Sequence, residues 1–179
     1  MRGRRSSKIE SELQKTLDDG CNVWVIGDVH GFADTLVNLL DSLNLGSRDR
    51  VVLLGDLIDR GPKSCEVIQI AREDPQIFSV LGNHEDMMLK SFDVDNIGTS
   101  TPQQSIWFYN GGRATSQSYI DKFTNSNGDI QELEMRLRVG KDLAWLDSIP
   151  HHIVLDDFRL VHAGYSPWME TLICNRLRL

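Results

Sequence analysis

Glycine, aspartate, asparagine and histidine gather in short clusters along this chain: Gly27-Asp28-Val29-His30-Gly31, then Gly55-Asp56-Leu57-Ile58-Asp59-Arg60-Gly61, then Gly82-Asn83-His84-Glu85. A fourth cluster, Val161-His162-Ala163-Gly164, adds one more histidine. Their side chains supply hard oxygen donors and imidazoles, the groups that hold divalent cations. Asp28 and His30 stand two apart, so at the end of an extended segment both face the same side. A carboxylate with an imidazole suits Mn²⁺, Fe²⁺ or Zn²⁺ better than Ca²⁺, which prefers oxygen ligands. Asp56 can bridge two cations, while Asn83 offers a carbonyl oxygen and His162 an imidazole to the second. Two cations about 3.5–4 Å apart hold a hydroxide and clamp a phosphoryl group for in-line attack. Taken singly, a Gly-Asp pair is a turn and a histidine is a packed or surface residue. Four such clusters in order point to one metal-centred site.

The first three clusters follow apolar runs at 23–26, 51–54 and 77–81, and the fourth lies at the end of another. The first three runs read as strands buried on both faces of a parallel sheet, because they are continuously apolar rather than alternating. Between them, residues 32–45 carry Leu36, Leu39, Leu40 and Leu43 at helical spacing. Pro62 suits the first turn of a helix running to 72. A further helix is expected over 84–92, and a short amphipathic one over 6–18 with Ile9, Leu13 and Leu17. Strand–helix–strand–helix–strand is the signature of an α/β fold, whose ligands gather at the carboxyl ends of the strands. Residues 93–105 read as a polar loop. Those from 105 to 148 read as mostly helical, with breaks at 110–112 and 125–128. Strands over 151–155 and 158–162 are joined by a tight turn at Asp156-Asp157.

With 179 residues and 40% hydrophobic content, one domain with a proper core is expected. The division is a tail and short helix over 1–20 and the domain over 21–179. No stretch is apolar and long enough to cross a membrane. The net charge of −7 argues against a nucleic-acid partner, since such binding neutralises phosphates with lysine and arginine. Cys21, Cys65 and Cys174 are sparse and odd in number. They read as small apolar residues in a reducing, cytoplasmic setting.

The four motifs resemble the phosphoprotein phosphatases of the calcineurin-like metallophosphoesterase superfamily, over about residues 21–167. Asp59-Arg60-Gly61 is the discriminating part. The segment 110–115 and Leu160-Val161-His162-Ala163-Gly164 resemble the bacterial and phage branch, which includes lambda-type protein phosphatases and symmetrical diadenosine tetraphosphatases. The resemblance implies the calcineurin-like fold, a sheet sandwich flanked by helices. It also implies two divalent metals, Mn²⁺ first, with Fe or Zn as alternatives. Asp28, His30 and Asp56 would hold one metal and Asn83 and His162 the other, with Asp56 bridging. His84 would be the general acid, oriented by Asp59, and Arg60 with Asn83 would bind the phosphoryl oxygens. Glu85 reads either as part of the site or as a first-turn acid favoured by the helix dipole.

The family pattern also includes a further histidine, well downstream of His-Ala-Gly, on the second metal. Here no histidine follows His162. His151 and His152 read as the start of a strand rather than as ligands. Arg176 and Arg178 are possible substitutes for a downstream phosphate-binding arginine. The expectation is therefore a C-terminally truncated domain. The implied reaction is hydrolysis of phosphoserine- or phosphothreonine-type monoesters by a metal-bridging hydroxide. Two alternatives stand beside it: symmetrical cleavage of diadenosine tetraphosphate, and a fragment that binds metal or phosphate without turnover. The partner is thus a phosphoprotein, a small phosphoester or a dinucleoside polyphosphate. The segment 93–128 is expected to line or cap the substrate pocket.

Overall fold

The computed structural model describes residues 3–92 and 101–164. Strand β1 (Val23–Ile26) pairs in parallel with β2 (Arg50–Leu53), and β2 pairs in parallel with β3 (Ile77–Ser79). The register sets Ile26 beside Leu53 and Leu53 beside Ser79. All three strands therefore end at one edge, and the three clusters emerge there side by side. Helices α2 (Ala33–Ser42) and α3 (Ser64–Glu73) form the crossovers, and α4 (Asn83–Ser91) starts directly after the third cluster. Pro62 precedes α3 by two residues instead of opening its first turn, because the Asp59–Gly61 segment turns with positive φ at Asp59 and Arg60 before the helix begins.

The central strand is buried on both faces. Val51 and Leu53 belong to the larger apolar cluster, with Leu36, Leu57, Ile68 and Met88, while Val52 faces the other way onto Leu13, Val80, Ile153 and Leu155. Each such fully buried aliphatic side chain contributes about 1.5–3 kcal/mol relative to exposure. The edge strand β1 departs from expectation. Trp24 and Val25 are 38% and 45% exposed, because a strand hydrogen-bonded on one side only is covered less completely.

The second face is closed by α1 (Ser7–Asp18) and by the antiparallel pair β4 (His152–Val154) and β5 (Arg159–Val161). Ser6 caps α1 by accepting from the Ile9 N–H, and Leu13 is fully buried beneath it. Glu10 and Gln14 on this helix accept the backbone N–H groups of Val154 and Asp156, satisfying donors that β5 does not. Leu81 N–H donates to Pro150 O, tying β4's approach to the end of β3.

The expected loop over 93–105 falls partly outside the described residues. Its described end is helical: Thr101 caps α5 (Pro102–Trp107), whose proline sits in the first turn, where it lacks no needed N–H. A π-helical turn (Phe108–Gly112) leads into α6 (Arg113–Lys122), and after the turn at 125–129 comes α7 (Glu132–Ser148). Arg176, Arg178, Cys174 and the rest of the tail lie outside the described residues.

Candidate active site

The loops that leave β1 and β2 are stitched to each other through their backbones. Val29 and His30 N–H both donate to Asp56 O, Gly31 N–H to Leu57 O, and Gly61 N–H to His30 O. Within this mesh His30, Asp56, Asp59 and Arg60 all have positive φ, from 46° to 71°. Non-glycine residues there cost about 1 kcal/mol or more each and cluster at functional sites. The mesh holds them in place.

Their side chains converge. His30 Nε2 lies 3.7 Å from both Asp28 Oδ2 and Asp56 Oδ2, and His84 Nε2 lies 3.7 Å from the same Asp56 oxygen. On the other side, His162 Nε2 is 3.3 Å from Asp56 Oδ1 and 3.0 Å from Asn83 Oδ1. Two potential ligand groups result: His30, Asp56 and His84, and Asp28, Asp56 and His162. Asp56 belongs to both. Asp28 spans them, with its other oxygen 3.9 Å from His162 Nδ1.

Backbone carbonyls set the histidine tautomers. His30 Nδ1 is 2.9 Å from Ile58 O, and His162 Nδ1 is 2.7 Å from Leu54 O. A carbonyl only accepts, so each Nδ1 carries the proton and each Nε2 turns its lone pair toward the carboxylates. This is the arrangement that outer partners impose on metal-binding imidazoles. His84 differs, because its Nδ1 donates at 2.6 Å to Asp59 Oδ2, a fully buried carboxylate. Arg60, at the surface, spreads its guanidinium over both imidazoles, 2.7 Å from His30 Nε2 and 3.0 Å from His84 Nε2.

A model of the calcineurin-like phosphoesterase family matches residues 21–176. The chain belongs to this family. It is 34% identical over 101 residues to serine/threonine-protein phosphatase 2 of Escherichia coli (strain K12), covering 56% of this chain and 46% of that protein. It is 30% identical over 147 residues to the symmetrical bis(5'-nucleosyl)-tetraphosphatase of Vibrio campbellii, covering 80% of this chain and 45% of that enzyme. The chain thus spans less than half the length of either relative. Among solved structures, a protein described as a candidate diadenosine tetraphosphatase superposes over 81% of this chain and 51% of its own, with a TM-score of 0.50 and 24% identity. That likeness bears on the fold alone.

Membership in the calcineurin-like phosphoesterases implies divalent metal ions, and the donor set fits them. Two carboxylates, an amide oxygen and imidazoles with Nε2 lone pairs turned inward are offered from the edge of the parallel sheet and, through His162, from the second sheet. His151 and His152 stay outside the cluster. His151 Nδ1 accepts the Arg4 N–H, and His152 lies in β4 beside Gly3. No helix among the described residues is long and apolar enough to cross a membrane.

Glu85 is neither a ligand nor a solvated first-turn acid. It is fully buried: Oε2 accepts from Asp56 and Gly82 N–H, both at 2.9 Å, and Oε1 from Leu57 at 2.8 Å and Ile58 at 3.3 Å. Burial, and then the negative charge of Asp56, push its carboxyl up to about 7, while the N–H donors pull the other way. Its position three residues after the N-cap Gly82 is the capping-box spacing, the one sequence signal that could have marked it. Ser64 and Trp107, which with Thr115 surround Asp59, carried no such signal, whereas Thr115 closes the 110–115 segment that resembles the bacterial and phage branch.

Proposed function

We propose that this chain hydrolyses phosphomonoesters of the phosphoserine and phosphothreonine type. The observation that carries the reading is the placement of Asp56 in both ligand groups, 3.7 Å from an imidazole whose far nitrogen is held by buried Asp59. Two divalent cations, Mn²⁺ by donor type and Fe or Zn as alternatives, supply Lewis acidity and a nucleophile at neutral pH when bound. Asp28 and His30 would hold one and Asn83 and His162 the other, with Asp56 common to both. Asp59 orients the His84 ring through Nδ1, so that Nε2 is the edge presented to the leaving oxygen. Arg60 offers a planar pair of N–H donors beside that edge, suited to two phosphoryl oxygens. Cys21 and the fully buried Cys65 are both free thiols, which suits a reducing, cytoplasmic setting.

Symmetrical cleavage of dinucleoside tetraphosphates is the second reading, favoured by the alignment to the Vibrio campbellii enzyme over 80% of this chain. The test is hydrolysis of p-nitrophenyl phosphate with Mn²⁺ by the chain and by Asp56→Asn, followed by a phosphopeptide and diadenosine tetraphosphate side by side. Asp56→Asn is expected to lower turnover at least about 100-fold, the upper range of what even outer partners of a metal cost. Activity that survives Asp56→Asn would refute the shared-carboxylate assignment. Preferential cleavage of the dinucleotide would select the second reading. A folded chain that binds Mn²⁺ and turns over none of these substrates would be a binding module.

A further inference from the structure

Asp59 carries a buried carboxylate, and such a group needs hydrogen-bond donors on every side. His84 supplies one. Two others come from a segment 48 and 56 residues further along the chain. Trp107 Nε1 donates to the carboxylate from 3.0 Å to each oxygen, and the Thr115 hydroxyl donates to Oδ1 at 2.6 Å. Oδ2 then faces His84 Nδ1, also at 2.6 Å. Thr115 Oγ1 and Ser64 Oγ additionally accept the Asp59 backbone N–H, at 2.9 and 3.1 Å. Both ends of Asp59 are thus held by the same few side chains, at a residue whose φ is 71°.

The segment that carries these donors is shaped to deliver them. Helix α5 does not run straight into α6; the π-helical turn between them contains Gly111 at φ 113°. There Gly111 O accepts the Arg60 N–H at 3.4 Å. At Gly112 a Cβ would stand 2.4 Å from the Trp107 indole, so the backbone lies directly against the ring and holds it in place. Trp107 is 1% exposed and stacks on Phe108, with Phe92 on another side. A phenyl ring would fill much of this space. Only an indole brings an N–H to the carboxylate, and a buried indole N–H needs an acceptor.

We infer that Trp107 and Thr115 are positioning residues for proton donation: they fix the Asp59 carboxylate, and through it the His84 ring. The inference rests on the reading of His84 as the acid. A role in core packing alone would affect all substrates alike. A role through His84 affects those whose leaving oxygen needs a proton, since good leaving groups depart without one.

Trp107→Phe removes the N–H and keeps an aromatic ring; Thr115→Val removes the hydroxyl at equal size, and Thr115→Ser keeps it. Each is compared with wild type and His84→Asn on phenyl phosphate and p-nitrophenyl phosphate, after folding and bound Mn²⁺ have been checked. Trp107→Phe and Thr115→Val are expected to lower kcat about tenfold on phenyl phosphate, the scale of one hydrogen bond to a charged group. On p-nitrophenyl phosphate the loss should stay within about twofold, and Thr115→Ser should behave as wild type. If His84→Asn lowers both substrates equally, the acid reading itself fails. If His84→Asn discriminates but Trp107→Phe and Thr115→Val do not, the positioning inference is overturned. A second readout needs neither metal nor turnover: the proton resonance of His84 Nδ1–H in the metal-free protein. It should move in Trp107→Phe and Thr115→Val and return in Thr115→Ser; an unmoved resonance in both would also overturn the inference.

Discussion

At the scale of residues, four side chains of the site hang from backbone in the left-handed region, and a buried carboxylate holds the loop that carries three of them. Glu85 receives N–H donors from Gly82 and from Asp56 through Ile58 in succession. Those donors would otherwise be buried without partners, at about 1–3 kcal/mol each. In Glu85→Gln an amide NH₂ replaces one of the two accepting oxygens and opposes N–H groups with N–H groups. Expected outcomes are a less stable fold and about tenfold weaker Mn²⁺ binding by calorimetry, because Asp56 loses its fixed orientation. An unchanged Mn²⁺ affinity would show that the loop holds its shape without Glu85.

At the scale of elements, the helices beyond the sheet are joined by charge rather than by apolar contact alone. Asp142 on α7 is fully buried and accepts from Arg72 of α3 at 2.5 Å, Arg138 of α7 at 2.7 Å and Tyr119 of α6 at 2.8 Å. Burial, and then the proximity of Asp142, push the Tyr119 hydroxyl far above its ordinary value, so it remains a donor at every working pH. Arg138 also donates to Cys65 O, which closes the junction over α3. Removing one partner of such a network strands the others. Asp142→Asn is expected to destabilise the fold by about 3 kcal/mol, or about 10 °C in Tm for a chain of this size, measured by thermal unfolding. A shift under about 2 °C would mean the arginines reach solvent instead. The same junction anchors α6, which carries Thr115.

Across the whole molecule, the site is where separate pieces meet. Asp28 and His30 follow β1, Asp56 follows β2, Asn83 and His84 open α4, and His162 follows β5 in the second sheet. His162 Nδ1 donates to Leu54 O across 108 residues, joining the two sheets beside the carboxylates. Cations bound there would cross-link all of these segments and would bind only the folded chain. At a hundredfold excess over Kd, Mn²⁺ is expected to add about 2.7 kcal/mol to stability. This is read as a Tm rise of about 5–10 °C that EDTA reverses. His162→Ala should shrink the rise, since it frees the second sheet from the site. A Tm indifferent to Mn²⁺ would contradict a cation shared by the two sheets.

Much of this was legible in the residues because the relevant physics is local. Continuous apolar runs announced the parallel strands, helical leucine spacing announced the crossovers, and the clusters after the first three runs announced candidate ligands at one edge. Asp28, His30, Asp56, Asn83, His84 and His162, named as candidates from the sequence, do come together in the structure. What it left open depends on contacts between distant segments. The continuous run of β1 does not reveal an edge strand, because exposure depends on how many neighbours a strand acquires. Glu85 looks like an acid in any first helical turn until the loop after β2 is folded onto it. Trp107 and Thr115 look like ordinary helix residues, since their partner Asp59 lies about fifty residues away. The sequence by itself determined which polar groups are candidates for chemistry and where along the chain they stand. Only the tertiary structure decided what holds each one in place, because hydrogen bonds to a buried carboxylate are specified by three-dimensional neighbours and not by spacing along the chain.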